Sequence, residues 1–78
     1  MIRFRLKELL AEKSFVDKRR VTLSEVSEKT GIHRTTLSKI ANKIDYNTTT
    51  ENLNKLCAFF GCSVCDIAEY IGEEKLKN

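Results

Sequence analysis

Three cysteines, at 57, 62 and 65, are the first residues of this 78-residue chain whose types and spacing could do chemistry. They read C-x4-C-x2-C, and a C-x-x-C pair can ligate zinc or exchange thiols. A tetrahedral zinc site wants four ligands, and the one histidine, His33, lies far up the chain. Leu53, Leu56, Cys57 and Phe60 fall at i, i+3, i+4 and i+7, so Cys57 reads as a small core residue. Cys65 alone reads as accessible. Neither a metal nor any other cofactor is expected. With one histidine, no glycine-rich phosphate cradle and carboxylates scattered over helix exteriors, no catalytic arrangement emerges, and an enzyme is not expected.

A second set of reactive types runs from Arg34 to Asn42, RTTLSKIAN. Leu37, Ile40 and Ala41 share the inner face of a helix in this stretch. Thr35 and Lys39 then point most directly outward, Ser38 and Asn42 flank them, and Arg34 reaches forward from the first turn. Arginine clamps guanine through two hydrogen bonds, lysine reaches guanine acceptors, and threonine packs its methyl on thymine. This is the chemistry of reading bases. The plainer reading is a solvated outer face.

What positions these residues is the stretch Thr22 to Asn42, TLSEVSEKTGIHRTTLSKIAN. Leu23, Val26 and Ser27 form one helical face that ends at Gly31, and the run from Arg34 begins just beyond. Two short amphipathic helices meeting at a glycine turn make a helix-turn-helix. Thr22 and Glu25 have capping-box spacing, and Val21 and Val26 fall where a hydrophobic staple fixes the entry of the chain. Gly31 suits a left-handed stop. His33 stands where the second helix needs an N-cap, a place that favours Ser, Thr or Asn.

The flanks are helical too. Leu6, Leu9 and Leu10 give a stripe to about Lys13, and the segment Ser14–Val21 reads as a link in which Phe15 and Val16 fold back onto the core. Lys18, Arg19 and Arg20 stay in solvent. Thr48 and Glu51 have capping-box spacing, which starts a helix near Thr49 that Gly61 ends. A last helix from Val64 would place Val64, Ile67, Ala68 and Ile71 on one face. Met1 to Leu6 alternates apolar and basic residues, so Ile2–Arg5 reads as a strand needing a partner, and the β-leaning candidate is Glu69–Ile71. A ribbon joining the termini follows; its rival is that Ile2 simply begins the first helix.

Val26, Ser27, Gly31, Ile32, Leu37 and Ile40 resemble the pattern of the lambda-repressor-like, Cro-type (XRE) helix-turn-helix family. Gly61-Cys62-Ser63-Val64 resembles that family's G-V-S-V junction, with Cys62 at a buried valine position. The resemblance covers roughly residues 6 to 71. It implies an all-α, five-helix DNA-binding domain over 1–71, with the motif at 22–42 and a frayed tail at 72–78. It also implies that the helix Arg34–Asn42 lies in the major groove, with Arg34, Thr35, Ser38, Lys39 and Asn42 contacting bases. The backbone-contacting set it implies is Arg19, Arg20, Thr22, His33, Thr36, Lys43, Asn47, Thr48, Thr49 and Thr50. The resemblance further implies a small, repressor-like transcriptional regulator that pairs as a homodimer through the Ile44–Tyr46 loop and the helix carrying Phe59.

Composition agrees. Residues 1–20 hold seven Lys/Arg against three Asp/Glu, whereas residues 51–78 hold three against five. A basic front suits a polyphosphate partner such as double-stranded DNA. The length suggests a single small domain, without a separate sensor or catalytic unit. No apolar run reaches membrane-spanning length and no signal peptide is visible, so no membrane association and a cytoplasmic location are expected. The competing reading is a protein-interaction module, such as an antitoxin, with a protein partner and DNA binding secondary or absent.

Overall fold

Period two at the front of the chain and period 3.6 after it divide the fold between a ribbon and a helical bundle. The computed structural model describes residues 1–72, so residues 73–78 of the expected tail lie outside the described residues. In chain order the elements are β1 (Ile2–Phe4), α1 (Leu6–Asp17), α2 (Leu23–Thr30), α3 (Arg34–Asn42), α4 (Thr50–Phe60), α5 (Val64–Ile67) and β2 (Ala68–Tyr70). Five helices and one small antiparallel sheet match the expected class, and β1 is a strand rather than the start of α1.

β1 and β2 pair antiparallel with Ile2 opposite Tyr70, Arg3 opposite Glu69 and Phe4 opposite Ala68. The other edge of β1 meets the loop after α3. The Asp45 amide donates to the Ile2 carbonyl at 2.8 Å, and the Asp45 Oδ1 accepts from the Ile2 amide at 3.1 Å. Asp45 reaches this position with a left-handed φ of 62°, a conformation that aspartate tolerates better than most residues. The terminal ribbon is thereby tied to the end of α3.

Leu6, Val26, Leu37, Ile40, Leu56 and Ile67 have no exposed surface, and Phe4, Val21 and Ile32 complete the core. Every element except β2 contributes at least one fully or nearly fully buried residue. Each such aliphatic side chain contributes about 1.5–3 kcal/mol relative to leaving it in water. α2 packs on α3 and α4, and α1 touches α3. Val21 and Val26 both enter this core, as the staple spacing requires.

Several local expectations need correction. α1 runs past Lys13 to Asp17, supported by the Lys13–Asp17 pair at i,i+4, and stops at Lys18 in a left-handed conformation (φ 54°). Because the helix continues, its period puts Phe15 and Val16 on the outer side, 85% and 67% exposed, rather than folded onto the core. α4 is capped one residue later than the Thr48–Glu51 spacing suggests: the Thr49 hydroxyl accepts from the Asn52 amide at 3.1 Å. The Thr48 hydroxyl accepts from the Asn52 side chain instead, so successive threonines leave the register to the tertiary structure. α5 is a single turn. The Ile67 carbonyl accepts from the Arg5 amide at 2.8 Å, and from Ala68 onward the chain is extended to pair with β1. Of the apolar face expected there only Ile67 is fully buried, and Val64 is 54% exposed.

Candidate nucleic-acid interface

The turn between α2 and α3 sets where the outer face of α3 points. Gly31 adopts φ 78°, and its amide donates to the Ser27 carbonyl at 2.9 Å. The Ser27 hydroxyl crosses the turn to donate to the Ile32 carbonyl at 2.6 Å. The Thr30 hydroxyl donates to the Val26 carbonyl at 2.7 Å and accepts from the Ile32 amide at 3.2 Å. Ile32 is buried between these bonds. Two side-chain hydroxyls thus satisfy the backbone of a turn that would otherwise be left partly unpaired.

α3 hangs from this turn with Leu37 and Ile40 fully buried. Arg34, Thr35, Lys39 and Asn42 are exposed, while Thr36 and Ser38 are half-buried. Among the described residues no carboxylate pairs with Arg34 or Lys39. Asn42 differs from these: its Nδ2 donates to the Ser38 carbonyl at 2.9 Å and to the Ser38 hydroxyl at 3.3 Å. Ser38 and Asn42 therefore form one bonded unit along the helix, whereas Arg34, Thr35 and Lys39 are free. His33 occupies the N-cap without a side-chain bond to the backbone, which leaves its imidazole ring exposed at the entry to α3.

Of the residues expected to meet the DNA backbone, Arg19, Arg20 and Thr22 lie at the start of α2 and Asn47 to Thr50 at the start of α4. His33, Thr36 and Lys43 belong instead to α3 and its two ends. Thr22 caps α2, accepting from the Glu25 amide at 3.3 Å. The second arm of the expected capping box is diverted, because the Glu25 carboxylate takes Arg19 at 2.6 and 2.7 Å. The Arg19 hydrogen bond holds Glu25 below the usual carboxylate range, and Glu25 in turn raises Arg19. Arg20 and Lys43 are exposed and unpaired among the described residues. At α4, Asn47, Thr49 and Thr50 are exposed and Thr48 is half-buried. Helix starts carry positive partial charge, and a capping threonine keeps its hydroxyl hydrogen for an outside acceptor.

The cysteines lie near the C-terminal end of α4, in the turn after it and in α5. Cys57 and Cys62 are half-buried rather than buried, because they bracket the exposed Gly61 turn, with the Cys62 amide donating to the Cys57 carbonyl at 3.1 Å. Partial burial, then the neighbouring Cys57, pushes the Cys62 thiol up. Cys65 is exposed. One cationic residue that sequence reasoning did not assign, Lys7, lines a cavity of ≈ 190 Å³ together with Asn42 and Lys43. The only signal for it in the sequence is the basic excess of the first twenty residues.

Among known proteins, a model of the Cro/C1-type HTH DNA-binding domain matches residues 5–73. No curated protein and no solved structure matches the chain.

Proposed function

Because the chain belongs to the Cro/C1-type HTH DNA-binding family, we propose that it binds double-stranded DNA sequence-specifically and acts in the cytoplasm as a small repressor-like regulator. The observation that carries this reading is the split of α3: Leu37 and Ile40 have no exposed surface, and Arg34, Thr35 and Lys39 stand free on the opposite side. A helix so held, with cationic and hydroxyl tips outward, suits the major groove, where each base pair presents its own donor and acceptor pattern. Arg34, Thr35 and Lys39 contact bases, and the Ser38–Asn42 unit does so after Asn42 releases its bond to Ser38. Arg19, Arg20, Thr22, His33, Thr36, Lys43 and Asn47 to Thr50 contact the backbone, where they fix register without reading sequence.

One α3 reads only a few base pairs, so the chain acts as a homodimer on two-fold symmetric sites, with half-sites centred about 34–36 Å apart. Ile44, 58% exposed in the loop after α3, supplies apolar surface for this pairing. Phe59 contributes less, because its ring packs edge-on against Phe60 and lies 5.3 Å beneath the Lys13 ammonium. Selection of bound duplexes from a random pool tests the proposal. A palindromic consensus supports it; no enrichment and no salt-linked DNA affinity would favour the protein-interaction reading.

A further inference from the structure

The cavity at the C-terminal end of α3 is lined by Arg3, Phe4 and Lys7 from the front of the chain and by Asn42, Lys43 and Ile44 from the end of α3. Residues distant in sequence meet here because the ribbon is pinned to Asp45. The carboxylate in the lining, Glu8, is already matched by an ion pair with Arg3, which also reaches Glu69 at 3.3 Å. The nearby Asp45 has its Oδ1 engaged by the Ile2 amide. Lys7 and Lys43 are exposed, and among the described residues no carboxylate pairs with either. Lys7 and Lys43 therefore line one small cleft beside Asn42 without a described carboxylate partner of their own, while Glu8 and Glu69 share Arg3.

We infer that Lys7 and Lys43 together form a phosphate-binding cleft that grips the DNA backbone just beyond the last base pair read by α3. This rests on the DNA-binding reading above. It adds Lys7, from α1, to the interface and extends the footprint past the helix-turn-helix itself. The occupant is a phosphodiester of the bound strand: the cleft adjoins the reading face, and lysine binds phosphate as a point charge without needing a planar fork.

The test is a salt titration of duplex binding by wild type, Lys7→Ala and Lys7→Glu, on the selected site and on the same site trimmed at its flank. Removing one lysine from a phosphate should lower the salt slope by about 0.9, so the fall in affinity between about 50 and 200 mM salt should shrink about 3-fold in Lys7→Ala. Lys7→Glu should weaken binding further, and all sequences should suffer alike. Trimming away the flanking phosphate should abolish the difference between wild type and Lys7→Ala. A wild-type slope in both variants, with DNA binding intact, overturns the cleft alone; absence of salt-linked binding by wild type overturns the DNA-binding reading with it. Inorganic phosphate is the control: shifts of the Lys7 and Lys43 amides by free phosphate as large as those by duplex would assign the cleft to a small anion and overturn its role on DNA.

Discussion

Arg19 and Glu25 meet across the entry to α2 in a two-point ion pair, Nη1 to Oε1 at 2.6 Å and Nη2 to Oε2 at 2.7 Å. The arginine that leads into the proposed phosphate-binding helix start is thus already held by a carboxylate of the same protein. The carboxylate takes two of the five guanidinium N–H donors and offsets the positive charge, so Glu25 competes with DNA for Arg19.

This competition predicts opposite signs for two substitutions. Arg19→Ala should weaken all duplexes alike, and Glu25→Gln should strengthen them alike by releasing Arg19. Fluorescence anisotropy on specific and scrambled duplexes checks both. A gain confined to one sequence would place Glu25 at a base instead.

The same pair predicts a pH dependence of stability. The Arg19 hydrogen bond depresses the Glu25 carboxyl, so its contribution is present above the ordinary carboxylate value and is lost as pH falls through the depressed one. The difference in Tm between wild type and Glu25→Gln should therefore be largest near neutrality and vanish in acid. Thermal melts across that range measure it.

Ser27 predicts how much the turn depends on one hydroxyl. Ser27→Ala removes the donor to the half-enclosed Ile32 carbonyl and should cost about 0.5–1.5 kcal/mol. For a domain of this size that corresponds to a Tm lower by about 4–8 °C per kcal/mol. DNA affinity should fall more than stability alone explains, because the angle between α2 and α3 loosens.

Gly31 separates backbone strain from crowding. A methyl placed on its Cα would meet nothing within 4 Å, while its φ is +78°. Gly31→Ala should therefore cost about 1–2 kcal/mol through conformation alone, and Gly31→Asn less. Urea midpoints of the two variants check the order.

The thiols should label in sequence. Cys65 is exposed and should react first with a neutral-pH thiol reagent, whereas Cys62, with its thiol pushed up by burial, should react last. Mass spectrometry of partly labelled protein reads the order, and three thiols should titrate after denaturation.

Much of the fold is legible in the sequence because periodicity and capping act locally. Gly31 and Gly61 both take left-handed φ at the helix ends, and the Leu37–Ile40 spacing marks the buried side of α3. The ribbon can be foreseen because a strand at Ile2–Phe4 needs a partner. What is not legible comes from competition between distant groups. The Glu25 carboxylate has two donors within reach, the Thr22 amide and Arg19, and spacing shows only the first. Ala68 satisfies a helical stripe as well as a strand, and β1 decides between them. Phe15 and Val16 read as core residues because of their apolar types, but the continuing period of α1 leaves them outside. Lys7 carries no motif at all, and only the pinning of β1 to Asp45 places it beside Lys43.

The most direct measurement on the central claim, that the free outer face of α3 reads bases, is the affinity of Arg34→Ala for the selected site and each of its single-base variants. Arg34 is exposed, so the variant should melt close to wild type. Loss of about 1–3 kcal/mol on the best site, with preference relaxed at one base pair and kept elsewhere, is the expected result. Uniform loss on every sequence, with the salt slope lowered by about one, would contradict it and make Arg34 a phosphate-gripping residue.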